Sequence, residues 1–202
     1  MNDFDGIASI YNGLKRLMFG NILDRIVADS MKSIPASSSV LIIGGGTGEI
    51  LNYLPENCKV DYIEKSGKMI RKAKTQKRVG INFIHRDFLC VKSEKQYSFV
   101  ICPFFLDLFN QNNLERTVEE IKGLLGPESK LIVIDFEGKN RWHQLLISLM
   151  YLFFRVTTNI ETGRLLDLNS VILSKDLEII HEEARIKGLV YSRTYHINIF
   201  VK

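Results

Sequence analysis

An apolar run that feeds directly into alternating glycines constrains this chain more than any other feature: Val40-Leu41-Ile42-Ile43 is followed by Gly44-Gly45-Gly46-Thr47-Gly48-Glu49. A short continuous apolar run reads as a strand buried on both faces. Glycines straight after it let the backbone turn sharply and approach a bound molecule with no Cβ in the way, while nearby N–H groups face that molecule. The pattern therefore predicts a cofactor loop at the end of a first strand. Its spacing bears on which cofactor. A dinucleotide fingerprint needs Gly-x-Gly-x-x-Gly, whereas the glycines here fall at 44, 46 and 48 and the third fingerprint position is Glu49. Hydride transfer on a nicotinamide is disfavoured.

The rest of the chain alternates short apolar strands with helical segments. Strands are predicted at Val40–Ile43, Lys59–Ile63, Ile81–His85, Tyr97–Cys102 and Lys130–Phe136, with helices at Thr47–Leu54, from Ser66 to about Lys77, and at Leu114–Leu125. That alternation predicts a doubly wound α/β core with a mostly parallel sheet. Two helices precede it, over Asp5–Phe19 and Asn21–Lys32. After the fifth strand the rhythm changes to a long apolar helix from about Asn140 to Val156, an irregular stretch, and two strands, Leu177–Ile186 and Leu189–Val201, joined at Lys187-Gly188 as an antiparallel hairpin. With 202 residues, 46% of them hydrophobic, the chain fits one domain: a helical cap over 1–35 and a core over 36–202.

Several function classes drop out. Three cysteines, Cys58, Cys90 and Cys102, show no Cys-x-x-Cys or Cys/His spacing, so neither a disulfide framework nor a metal site is expected, and a reducing cytoplasm fits. The acidic start, Met1-Asn2-Asp3-Phe4-Asp5, is unlike a secretory signal. The longest apolar stretch, Leu145 to Phe154, has ten residues, half of the roughly twenty a spanning helix needs. Net charge is +4, but seven basic residues and no acidic one lie between Lys65 and Arg78. With 20 of the 27 basic residues left against 23 acidic ones, the rest of the chain is net −3. The basic run reads as a solvated helix face rather than a nucleic-acid surface.

The first strand, its Gly-x-Gly-x-Gly loop and the segments after them resemble the class I S-adenosylmethionine-dependent methyltransferases. Glu64-Lys65-Ser66-Gly67-Lys68-Met69-Ile70 is similar to that family's acidic-x-Ser-x-x-Met-Leu signature. Asp87, in His85-Arg86-Asp87-Phe88-Leu89, stands where the family commonly has an acidic residue. Leu124 to Phe136 resembles its Leu-Lys-Pro-Gly-Gly entry into strand five. The resemblance implies a Rossmann-like, seven-stranded sheet ending in the antiparallel hairpin, and S-adenosylmethionine as cofactor with S-adenosylhomocysteine as product. It also implies a cofactor set. Gly44, Gly45, Gly46, Thr47 and Gly48 would pass under the methionine and ribose. Glu64, twenty residues after Gly44, would accept from the ribose hydroxyls, with Lys65 beside it. Met69 would pack on adenine, Asp87 would accept from its amino group, and Phe88 would contact the ring. Cys102, Pro103 and Phe104 would lie by the transferred methyl.

The chain also departs from the family. Ile42 replaces a frequent acidic residue in strand one, so the contact to the cofactor's amine must come from elsewhere, and Tyr11 is the candidate. Cys102-Pro103-Phe104-Phe105 only distantly echoes the Asn/Asp-Pro-Pro-aromatic motif of nucleic-acid amino-methyltransferases, and Cys is a poor acceptor at the first position. Nucleic-acid methylation is disfavoured on that ground. Phe105 and Met150 are candidates for an apolar acceptor pocket. Asp107 and His143 are the candidate bases, placed after strands four and five. The helix from Trp142 to Phe154, apolar nearly all round, points to a quinone-, lipid- or polyketide-like acceptor, to peripheral membrane contact, or to a homodimer interface. A non-catalytic S-adenosylmethionine-binding protein is the alternative reading.

Overall fold

The computed structural model describes residues 19–138, 140–144, 147 and 166–198. Parallel pairing organises β1 (Ser39–Ile43), β2 (Lys59–Glu64), β3 (Ile81–His85), β4 (Tyr97–Pro103) and β5 (Leu125–Phe136). The sheet has seven strands in the order β3-β2-β1-β4-β5-β7-β6. The last two, β6 (Leu177–Arg185) and β7 (Val190–Ile197), are antiparallel, with β7 inserted between β5 and β6. This is the doubly wound sheet that the alternation predicts, and its order and terminal hairpin are those that the family resemblance implies.

The centre of each inner strand is apolar because each face buries a different core. Val40 and Ile42 point to one side, with Tyr62, Phe99, Ile101 and helix α1 (Ile22–Met31). Leu41 and Ile43 point to the other, with Val100, Val133, Tyr191 and helix α3 (Gln111–Gly123). In a strand of period two this leaves no position for a polar residue. Helix α1 turns Leu23, Ile26, Val27 and Met31 inward, an i, i+3, i+4 stripe.

Local chemistry moves several boundaries. The segment after the glycines, predicted as a helix over Thr47–Leu54, forms only a 3₁₀ turn, Glu49–Tyr53. Gly48 enters it left-handed, and Pro55 holds Leu54 extended. Helix α2 (Gly67–Ala73) ends before Lys77 because the chain beyond it is drawn sideways. The Arg78 guanidinium donates to the carbonyls of Leu51 and Leu54, at 2.8 and 2.6 Å, and to that of Pro55. Helix α3 starts three residues earlier than Leu114, at Gln111, since the Asn110 side chain accepts from Asn113 N–H at 3.0 Å. Strand β5 comes at once, with the pairing on β4 jumping from Tyr97↔Leu125 to Phe99↔Lys130. Gly126-Pro127 thus sits in an irregular strand entry instead of stopping a helix. A short helix absent from the sequence reading, α4 (Leu168–Leu173), is capped by Asp167, which accepts from Ser170 N–H at 3.1 Å. The hairpin connection is wider than the two-residue turn predicted: Ile186, Lys187 and Gly188 all take positive φ. Of the helix from Asn140 to Val156, residues 141–144 and 147 are helical, and most of it, like the first predicted helix, lies outside the described residues. Among the described residues no helix is long and apolar enough to cross a membrane.

Strand β7 carries a buried charge. Arg193, 4% exposed, donates to Glu182 Oε2 at 2.8 Å and to Glu137 Oε2 at 3.1 Å, and its guanidinium lies 4.1 Å from the Tyr191 ring centroid. Its carboxylate partners are partly exposed, at 26% and 38%, so Arg193→Ala is expected to cost about 2 kcal/mol in denaturant unfolding, the worth of hydrogen bonds to charged groups, and Arg193→Lys, which keeps the charge but loses the planar fork, to cost less.

Candidate functional site

Ligands bind beyond the carboxyl ends of parallel strands, where strand order reverses. Here that point is the end of β1, between β2 and β4, and a cavity opens there. Its floor is the glycine loop. Gly45 lacks a Cβ because the Tyr62 ring stands beneath it: an added Cβ would lie 2.4 Å from ring carbons of Tyr62. Gly48 is left-handed at φ +84, and a Cβ there would lie 2.8 Å from the Ala73 backbone. It does not line the cavity. It lets the loop pass close against α2.

Glu64 closes β2 and links two elements. Its Oε2 accepts from Gly46 N–H at 2.9 Å and its Oε1 from Ser66 N–H at 2.7 Å. Burial pushes this carboxyl above its ordinary pKa, while the amides of Ser66, Gly46 and Lys65 pull against that shift. Ser66 caps α2, its Oγ accepting from Met69 N–H at 3.2 Å, which turns Met69 toward the cavity. Across from it Lys65 Nζ pairs with Asp87 Oδ2 at 2.7 Å. Asp87 also caps the next 3₁₀ turn, accepting from Leu89 N–H at 3.2 Å, so that Phe88 is presented to the cavity.

The third wall lies along the end of β4. Phe104 adopts φ +52, a costly conformation for a bulky residue, and its N–H donates to Ile134 O at 2.7 Å. Its ring lies 5.2 Å from that of Phe136, and Phe105 stands edge-on to Phe88 at 6.5 Å and to Phe109 at 5.0 Å. Apolar rings therefore face the glycine loop across the cavity.

Of the residues singled out in the sequence, the structure brings to this cavity Gly44, Gly45, Gly46, Thr47, Glu64, Lys65, Met69, Asp87, Phe88, Pro103, Phe104 and Phe105. Cys102 does not reach it. It is fully buried in the core behind the strand, where burial raises its thiol pKa. Neither candidate base lines the cavity. Asp107 is buried in the 3₁₀ turn Leu106–Leu108, its N–H donating to Asp135 Oδ2 at 3.3 Å. His143 is 1% exposed, its N–H donating to Asn140 Oδ1 at 2.9 Å. Tyr11 and Met150 lie outside the described residues. Sequence reasoning missed Asp24 on α1, Glu49, Tyr53, Arg86 and Phe109, all of which line the cavity. Glu49 carried a signal as the residue directly after the last glycine. Asp24 carried none, because only the packing of α1 over the loop brings it there.

A Cβ at position 48 meets both the positive φ and the Ala73 backbone. Gly48→Ala is expected to lose about 3 kcal/mol, read as a fall of roughly 6–12 °C in melting temperature.

A family model described as a methyltransferase domain matches residues 40–128. No curated protein sequence matches the chain. Solved structures agree in fold at low identity. A chain of the complex between the Haloferax volcanii Trm112 methyltransferase activator and its methyltransferase is 12% identical with a TM-score of 0.74, over 97% of this chain and 98% of that one. The structure of DhpI with S-adenosylhomocysteine is 12% identical with a TM-score of 0.72, over 97% and 94%. The Burkholderia thailandensis 1,6-didemethyltoxoflavin-N1-methyltransferase is 15% identical with a TM-score of 0.65, over 94% and 84%. The domain match runs from the first strand through the glycine loop to the entry of β5, and the sheet around it, with its terminal hairpin, shares the fold of these methyltransferase structures.

Proposed function

We propose that this enzyme transfers a methyl group from S-adenosylmethionine to a small, predominantly apolar acceptor held between the glycine loop and the Phe104–Phe105 wall. The observation that carries this reading is one cavity in which a buried carboxylate anchored on the loop faces a cluster of aromatic rings.

The residues present fit the cofactor. A Cβ at Gly46 would have only Met69 Sδ within 4 Å, at 3.8 Å, so at this point the loop leaves open space. Glu64 accepts from the Gly46 and Ser66 amides, with the Lys65 amide also close, and retains capacity for a hydroxyl donor, since an ionised carboxylate has about four acceptor sites. Met69 and Phe88 offer apolar surface for a purine ring, beside the Asp87 carboxylate. When bound, the cofactor supplies a methyl group activated by its sulfonium. What the chain itself contributes is orientation and exclusion of water: the rings of Phe104 and Phe105 leave little for water to bind and hold an acceptor near the loop. With Asp107 and His143 tied into buried packing, the acidic groups that the cavity does present are Asp24, Glu49, Glu64 and Asp87. The fold shared with the 1,6-didemethyltoxoflavin-N1-methyltransferase supports a small-molecule acceptor. A nucleic-acid acceptor is not favoured, since the basic run is partly turned inward, Arg78 to carbonyls and Lys65 to Asp87. Three free thiols, with Cys90 exposed, support a reducing cytoplasmic setting.

Titration calorimetry tests the cofactor assignment. S-adenosylhomocysteine is expected to bind, and Glu64→Ala to weaken it by about tenfold or more, as loss of charge-assisted hydrogen bonds requires. Because Glu64 is held above its ordinary pKa and accepts hydroxyls best when ionised, affinity is expected to be full at high pH. It should fall as the pH drops through that raised pKa, at a higher pH than a solvent-exposed glutamate would give, and Glu64→Gln should flatten the profile. The acceptor assignment is tested by turnover to S-adenosylhomocysteine across apolar phenols, quinols and amines. Phe104→Ala is expected to raise the acceptor KM severalfold while leaving S-adenosylhomocysteine affinity unchanged, and equal loss of both would place Phe104 on the cofactor side.

A further inference from the structure

Tyr62 and Glu64 are alternate residues of β2, so their side chains leave the same face of the strand. Both end on one residue of the neighbouring loop. Glu64 Oε2 accepts from Gly46 N–H at 2.9 Å, and the Tyr62 hydroxyl donates to Gly46 C=O at 3.0 Å. The ring beneath is fully buried and occupies the space that the missing Cβ of Gly45 leaves free, where an added atom would sit 2.5 Å from the hydroxyl oxygen. Burial, reinforced by Glu64, pushes the phenol well above its ordinary pKa, so it keeps its proton and remains a donor at neutral pH.

We propose that Tyr62 is a positioning residue of the cofactor site: with Glu64 it grips both backbone groups of Gly46 and so sets the glycine loop in its binding geometry before any ligand arrives. The inference rests on the methyltransferase reading above and assigns it a residue that touches the loop from below and does not line the cavity. Gly46 stands at φ +64 directly after Gly44 and Gly45, and such a backbone has unusual freedom to turn. A hydrogen bond at the amide alone leaves the carbonyl end of the residue free to swing. Bonds at both ends fix it, and ordering the loop in advance removes that cost from binding. Glu64 benefits in turn, since the amide that orients its Oε2 is held still. The adjacent tie, Gly44 N–H to Ile63 O at 2.9 Å, anchors the start of the loop but leaves Gly46 to the two side chains. In sequence Tyr62 is one more apolar residue of a buried strand, and only the cross-strand register, with Ile42 opposite Tyr62, puts its hydroxyl under the loop.

The test is calorimetric titration of the whole chain with S-adenosylhomocysteine, together with hydrogen exchange of the amides of residues 44–48 in the ligand-free protein. Three proteins are compared: wild type, Tyr62→Phe, and Ile172→Val. The last trims a buried methyl from α4, in the core on the opposite face from Tyr62, and so controls for general loss of stability. Tyr62→Phe keeps the ring and removes the hydroxyl. It is expected to bind about three- to tenfold more weakly, the worth of one buried hydrogen bond, and to exchange its loop amides faster, while Ile172→Val matches wild type on both readouts. Unchanged affinity and exchange in Tyr62→Phe, or equal changes in Ile172→Val, would overturn the proposal. If wild type fails to bind S-adenosylhomocysteine, the cofactor reading falls instead, and the exchange comparison still decides whether Tyr62 holds the loop.

Discussion

A buried carboxylate must be supplied with donors, and the places richest in unspent backbone N–H groups are tight loops and the starts of helices. Glu64 meets that need from both at once, taking Gly46 N–H from the loop after β1 and Ser66 N–H from the start of α2. Desolvating a charge costs several kcal/mol, so this arrangement is strongly specified: either amide withdrawn leaves the carboxylate poorly compensated. Much of the site inherits its position from this tie. It brings α2 close enough to the loop for Gly48 to lie against Ala73, aims Met69 into the cavity through the Ser66 cap, and places the basic run so that Arg78 can close off the carbonyls of the 3₁₀ turn.

A second buried carboxylate does corresponding work on the other wall. Asp135 in β5 is fully buried and accepts from the backbone of Asp107 at 3.3 Å and of Phe136 at 2.9 Å. Burial, and then the neighbouring Asp107, raise its pKa. The bond to Asp107 N–H pins the turn after β4 to the next strand. This explains the fate of Asp107 as a candidate base: its turn is drawn down onto β5, which leaves Phe105, Leu108 and Phe109 to face the cavity.

The legible part of the fold was periodic. Short, largely apolar strands alternating with helices pointed to a covered parallel sheet, and the boundaries of β1 to β4 fell within a residue of those read from the apolar runs. Boundaries set by tertiary ties were not legible. Helix α2 ends early because Arg78 is pulled to carbonyls 23 to 27 residues away in sequence, and β5 starts early because Gly126 N–H finds Ser129 Oγ at 2.8 Å and lets an irregular entry join the sheet. No local propensity encodes either. In the site, motif residues at strand ends could be read by number, since a strand end fixes where its last side chain lies. Residues arriving from another element could not, as Asp24 on α1 shows.

The amino-acid sequence by itself determined the fold class, the glycine loop and the strand-end residues that line the cavity with it, because glycine spacing and apolar period are local properties that survive without knowledge of packing. Only the tertiary structure decided what each polar group does there. Hydrogen bonds between residues far apart in sequence committed Glu64 to the amide of Gly46, drew the turn of Asp107 down onto Asp135, and set the hydroxyl of Tyr62 under Gly46. Side chains acquire such roles from the register between strands and the approach of helices, and these are settled by burying the whole sheet at once.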